Sequence, residues 1–211
     1  RKLGYLMLLV LFSNCSASLK ASYSRLSKPE KTWIFFHPFK AKKAYAISME
    51  TERVKDSVKA LNVIGNDNNG GQLDAFKHSY WMARLTQGIG RRAALSLGNA
   101  HEKGNYQSFK KRRLEDGFLP DKPSTDMDLH NNQVGITIGK QFNNDSKHKI
   151  VDIIIDSIHE GKMRILLKDK TGHFMDCDHK KVPLDSLKGK WNTKKCLVPS
   201  DIKLIEVFTI P

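Results

Sequence analysis

The sequence predicts a mainly α-helical protein, a compact bundle of about five helices with a small C-terminal β-hairpin and loop appendage. Three observations predict it. Apolar residues recur at helical spacing from Lys40 to Glu160. Turn formers interrupt that period at Gly65 to Gly71, Gly88, Gly104 and Gly161. Short apolar runs replace it only after Met163. The 211 residues suffice for one full core, so a single helical domain is expected over 32–165, with its motif core at 65–142 and the appendage at 166–211.

Residues 1–15 have the order of a bacterial secretory signal. Arg1-Lys2 precede the apolar run Leu3 to Phe12, followed by Ser13-Asn14-Cys15-Ser16-Ala17-Ser18. The run is too short to span a bilayer, which takes about 20 apolar residues. Phe12-Ser13-Asn14-Cys15 resembles a relaxed lipobox with Cys15 as the acylated residue, although Phe12 and Asn14 depart from the usual aliphatic and small choices. Three fates are open: a lipoprotein anchored through Cys15, cleavage near Ala17, or an uncleaved anchor. Export leaves Cys177 and Cys196 as an even pair in a compartment where disulfides persist, unless they are two unrelated thiols. Residues 16–31, rich in Ser and Lys, read as a flexible tether.

Lys plus Arg exceed Asp plus Glu by 36 − 22 = 14. Such a surface attracts anionic lipid or an envelope polymer, or simply keeps the chain soluble; charge alone does not choose. Nucleic acid is a less favoured partner, and oligomeric state is not readable.

Taken in order, Trp33-Ile34-Phe35-Phe36-His37-Pro38-Phe39 is apolar but interrupted by Pro38 and reads as an irregular segment packed on the first helix, with aromatic contact to a membrane as the alternative. Ala44, Ile47, Val54, Val58, Leu61 and Ile64 place a first helix over 40–64. The second fits 72–87, closed by Gly88, and the third 90–103, closed by Gly104. Residues 105–124, with Lys110-Lys111-Arg112-Arg113, Gly117, Pro120 and Pro123, read as an exposed excursion. A fourth helix is expected from Asp126 to Phe142, with Gly135 and Gly139 on one face permitting close approach of another helix. The fifth, Ser146 to Glu160, carries the row Ile150, Ile154, Ile158 and should be the most buried. Residues 163–167 and 173–175 read as a hairpin, 187–199 as a loop anchored by Trp191, and 204–210 as a further strand.

Groups able to bind a metal or move a proton concentrate between Gly70 and Gly139. Asp74 and His78 are i,i+4 partners on one helix face, where a carboxylate can fix an imidazole tautomer. A plain first-turn carboxylate complementing the helix dipole accounts for Asp74 equally well. His101-Glu102 lies near an expected helix end, where a histidine is electrostatically at home. Asp128 either closes a capping box with Thr125 or joins Asn131 and Asn132 in a polar row. Two asparagines among core positions imply a satisfied network or a ligand.

Gly70-Gly71-x-x-Asp74-Ala75-Phe76-Lys77-His78-Ser79-Tyr80-Trp81, Ala100-His101-Glu102 and Met127-Asp128-Leu129-His130-Asn131-Asn132-Gln133-Val134-Gly135 resemble the motifs of a helical domain-of-unknown-function family of exported bacterial proteins. The resemblance covers about residues 65–165 and implies a domain without an activity. Three functional classes follow from the residues. The first is a metal-assisted hydrolase of ester or phosphoester substrates. There His78, His101 and Asp128 bind a divalent metal such as zinc, Asp74 or Glu102 acts as catalytic or supporting carboxylate, and Asn131, Asn132 and Trp81 bind substrate. The second is a non-enzymatic envelope binding or scaffolding lipoprotein whose polar cluster is structural. The third is a nuclease, disfavoured because no strand pair precedes His130-Asn131-Asn132.

Overall fold

The structure, a computed structural model, describes residues 17–114 and 117–202. The signal-like segment with Cys15 and the strand expected at 204–210 lie outside the described residues. The described chain is mainly helical, with one small antiparallel sheet near its C-terminal end.

The segment expected as a tether is helical instead. Ala17–Arg25 forms α1 and Lys28–Phe36 forms α2. A capping box starts α2: the Glu30 side chain accepts from Ser27 N–H at 2.7 Å, and Ser27 Oγ accepts from Glu30 N–H. Composition underestimated the segment because its order is tertiary: within it Glu30 Oε1 meets His101 Nδ1 at 3.1 Å, and just beyond it Trp33 is buried with its Nε1–H donating to Ser96 Oγ at 2.8 Å. Pro38 does end α2, but it also opens α3 (Pro38–Leu61) at the first helical position, where a missing N–H costs nothing. What reads as an irregular segment is therefore a helix–helix corner.

Four helices make the core: α4 (Gln72–Ile89), α5 (Arg91–Lys110), α6 (Lys122–Gln141) and α7 (Lys147–His159). The most buried is α4, not α7. Leu73, Phe76, Tyr80, Met82 and Leu85 are all fully enclosed because α3, α5, α6 and α7 each pack against α4. On α7 only the predicted row Ile150, Ile154 and Ile158 is fully enclosed, each residue contributing about 1.5–3 kcal/mol through burial. The α4–α6 contact is the tightest: a Cβ at Gly135 would lie 2.2 Å from the Ser79 carbonyl oxygen, and one at Gly139 2.4 Å from that of Ala83. Gly104, expected to stop a helix, lies inside α5, where the absent side chain makes room for Ser27.

After α7 the chain forms β1 (Arg164–Leu166), which pairs with β2 (Leu197–Pro199) and not with 173–175. The expected hairpin survives only as isolated bridges, Lys168 to Phe174 and Met175 to Lys181. Asp169 holds the turn that the first of these bridges closes, Oδ1 accepting from the N–H groups of Thr171 and His173 at 2.9 Å each. A one-turn helix, α8 (Leu184–Leu187), precedes Trp191, which packs on Tyr106 and Phe109 of α5. Cys177 and Cys196 are joined by a disulfide. Lys168 reaches back to Asn69 O at 2.6 Å, and Leu166 N–H donates to Gly70 O at 2.7 Å, so the appendage lies against the start of α4.

Candidate functional site

The loop before α4 fixes the first site residue. Gly70 takes φ +82°, which favours glycine, and its N–H donates to Asp74 Oδ2 at 2.9 Å. One turn later His78 projects from the same face, its Nε2 3.6 Å from Asp74 Oδ1. The third group comes from α6. That helix starts earlier than Thr125: Asp121 is its N-cap, accepting from Ser124 N–H at 3.0 Å, with Pro123 in the first turn. Asp128 is thereby released from capping and lies two turns into the helix, with Oδ1 3.3 Å from His78 Nε2.

Asp74, His78 and Asp128 thus offer three ligand-type atoms within 4.8 Å of one another. Ligands bound at about 2.0–2.1 Å around a tetrahedral ion lie about 3.3 Å apart, which matches the His78 separations. All three residues are at least nine-tenths buried, yet they line one end of a cleft of about 440 Å³, within the usual size range for small-molecule sites. Lys77, 3.2 Å from Asp74 Oδ1, lines it as well.

The other expected residues are placed around this cluster. His101 is close, with its ring centroid 6.2 Å from that of His78, but its Nδ1 meets Glu30 Oε1 at 3.1 Å. Burial pushes the Glu30 carboxyl up, while the hydrogen bond and charge of His101, with Ser27, outweigh it and hold the group below its ordinary value. Glu102 is buried and accepts from Asn105 Nδ2 at 3.2 Å and Asn132 Nδ2 at 3.4 Å, and Asn105 in turn lines the cleft. Asn131 clasps the backbone of Arg164, donating to its carbonyl and accepting from its N–H at 2.9 Å each; this fastens β1 to α6. Trp81 sets its ring edge-on to His101 and donates Nε1–H to Ser48 Oγ.

Sequence reasoning missed the opposite wall. Phe118, Leu119 and Pro120 of the expected excursion line the cleft, as do Phe174, Leu184 and Leu187 of the appendage. Lys195 lines it too; it contacts Asp121 Oδ2 at 2.8 Å and lies 4.0 Å from the centre of the Phe174 ring. The excursion's two prolines and flanking aromatic residues were the available signal. For Lys195 there was none, because a lysine near a chain end carries no period.

Residues 31–162 match the model of a domain of unknown function, DUF6973. That match takes in Asp74, His78 and Asp128 and leaves out Glu30 and the appendage wall of the cleft. No curated protein and no solved structure matches the chain. With more than half of its length inside the match, the chain belongs to the DUF6973 family.

Proposed function

We propose that this is an exported, lipid-anchored cell-envelope protein in which Asp74, His78 and Asp128 hold a divalent cation and hydrolyse an ester, with a phosphoester favoured. The observation that carries the reading is the convergence of one imidazole and two carboxylates at the end of a cleft. Mixed nitrogen and oxygen donors suit zinc. A cation held by these three residues would supply Lewis acidity and an activated water. The chain's own groups do the rest. Asp74 is oriented by Gly70 N–H, which leaves its Oδ1 3.6 Å from the same His78 Nε2 that Asp128 Oδ1 approaches at 3.3 Å. Four lysines, Lys77, Lys188, Lys190 and Lys195, line the cleft with three aspartates, Asp74, Asp121 and Asp128; with Asp74 and Asp128 engaged by a cation, the balance of charge would favour a phosphate group. Hydrolysis would add the water oxygen to phosphorus and break the bond to the alcohol, which leaves with a proton.

Zinc added to chelator-treated full-length protein is expected to raise its stability by about 2.7 kcal/mol at one hundred times the dissociation constant. His78→Ala and Asp128→Asn should abolish that rise together with turnover of a chromogenic phosphodiester. A melting temperature indifferent to zinc and chelator would sink the cation reading. It would favour a structural cluster, His78 clamped between two carboxylates in a binding lipoprotein, which the 3.3 and 3.6 Å contacts also support. Anchoring rests on the charged, apolar and Cys15 order of the first fifteen residues. Labelled palmitate should enter the wild-type chain and not Cys15→Ala; equal incorporation would remove the anchor.

A further inference from the structure

At the corner between α2 and α3, three phenylalanines fall within five residues and face solvent: Phe35 is 76% exposed, Phe36 70% and Phe39 98%. The Phe35 and Phe36 rings pack edge to face at 5.2 Å, so they form one apolar surface. Single exposed apolar residues are ordinary, but a clustered aromatic tip is not. Trp33 on the same helix is buried against α5, which fixes the orientation of the tip.

The two stretches that form this corner carry charge of one sign. The α4–α5 corner lies at the same end of the bundle, because Lys40 Nζ donates to Ile89 O at 2.8 Å and Gly88 faces Ile47 and Lys43. Lys42, Lys43, Arg91 and Arg92 are exposed there. Neither Lys31 to Met49 nor Ala75 to His101 contains an aspartate or glutamate. The nearest acid before this stretch, Glu30, is turned to His101. Helix α1, the element after the expected anchor, meets α3 at Tyr45 through Ser22 Oγ, 3.4 Å away; Tyr45 is about 9 Å along the helix from Phe39.

We propose that this corner docks on the surface of an anionic phospholipid bilayer, with Phe35, Phe36 and Phe39 entering the headgroup region and the lysine and arginine cluster meeting the lipid phosphates. An aromatic tip beside a cluster of exposed cations fits that partner on both counts. A second copy of this chain would bring the same positive cluster against itself.

The test places a cysteine at the tip of the full chain, Phe39→Cys, and a control, Leu61→Cys, at a site 69% exposed near the far end of α3. Each variant is labelled with an environment-sensitive fluorophore and bound to vesicles containing brominated lipid, with identically treated wild type as the blank. With phosphatidylglycerol present, the label at position 39 should be quenched about threefold more than that at 61, because the tip enters the interface. Raising salt to about 0.5 M should reduce the difference by about half. Because both positions are exposed, each variant should melt as wild type does. Equal quenching at the two positions would overturn the proposal. So would crosslinking between copies of the Phe39→Cys variant without quenching, which would assign the face to self-association.

Discussion

The two walls of the cleft are built on different principles. Asp74, His78 and Asp128 stand on α4 and α6, whose backbones are pressed together at Gly135 and Gly139. Besides Phe118, Leu119 and Pro120, the facing wall contains Phe174, Leu184, Leu187 and Lys195, carried by a segment with a one-turn helix and single bridges. A disulfide, the Trp191 contact and the Lys168 bridge to the Asp67–Asn69 loop hold that segment. A periodic wall positions side chains to within a rotamer, which metal chemistry needs. A stapled wall is determined at a few points and can vary between them, which suits recognition of a substrate.

The comparison can be broken most severely at the helix contact. Gly135→Ala or Gly139→Ala would drive a methyl group into a carbonyl on α4, and neither backbone can yield cheaply. Each should destabilise the fold by about 3 kcal/mol, and circular dichroism melts should show both walls lost together. Melting like wild type would show that α4 and α6 do not meet there. Next is the staple. Converting Cys177 and Cys196 to serine opens a loop of 19 positions, worth about 3 kcal/mol at most in the chain-entropy model. Here the loss should be local. Amide exchange should rise over 167–198 while α4 and α6 stay protected, and uniform deprotection would deny that the walls are separable.

The smallest effect sharpens a third contrast, between His78 and its neighbour His101. Glu30 is held below its ordinary value of 4.5, so the unfolded chain binds more protons than the folded one as pH falls past that value. Its stabilising contribution is complete above pH 4.5 and disappears as pH drops through the folded-state value. Glu30→Gln should therefore lower the melting temperature at pH 7 by a few degrees, because about 1 kcal/mol is typical of such a bond, and the decrement should shrink progressively as pH falls below 4.5. A decrement constant across that range would show that Glu30 acts by packing alone.

How much was legible varied with the range of the interaction. The Asp74–His78 pair could be read because four residues on a helix is a local geometry, and the Gly135/Gly139 pair because two absent side chains on one face announce a close neighbour. The start of α6 was misread because a proline taken as a helix breaker stands in the first turn, and that misreading left capping open as one of two roles for Asp128. The order of residues 17–36 was missed for a different reason. Composition measures what a segment can bury by itself, whereas Trp33 is buried by α5.

By itself the sequence determined a mainly helical chain with a small C-terminal sheet, the glycine contact, and the two helices that carry Asp74, His78 and Asp128. Each rests on periodicity or spacing within one element. The tertiary structure alone decided that His101 answers to Glu30, 71 positions away, and that Asn131 is a clasp for β1. It also paired β1 with Leu197–Pro199 and set the appendage opposite Asp128 as the second wall. Those contacts join distant segments through single side chains and leave no period in either partner, so only the folded chain contains them.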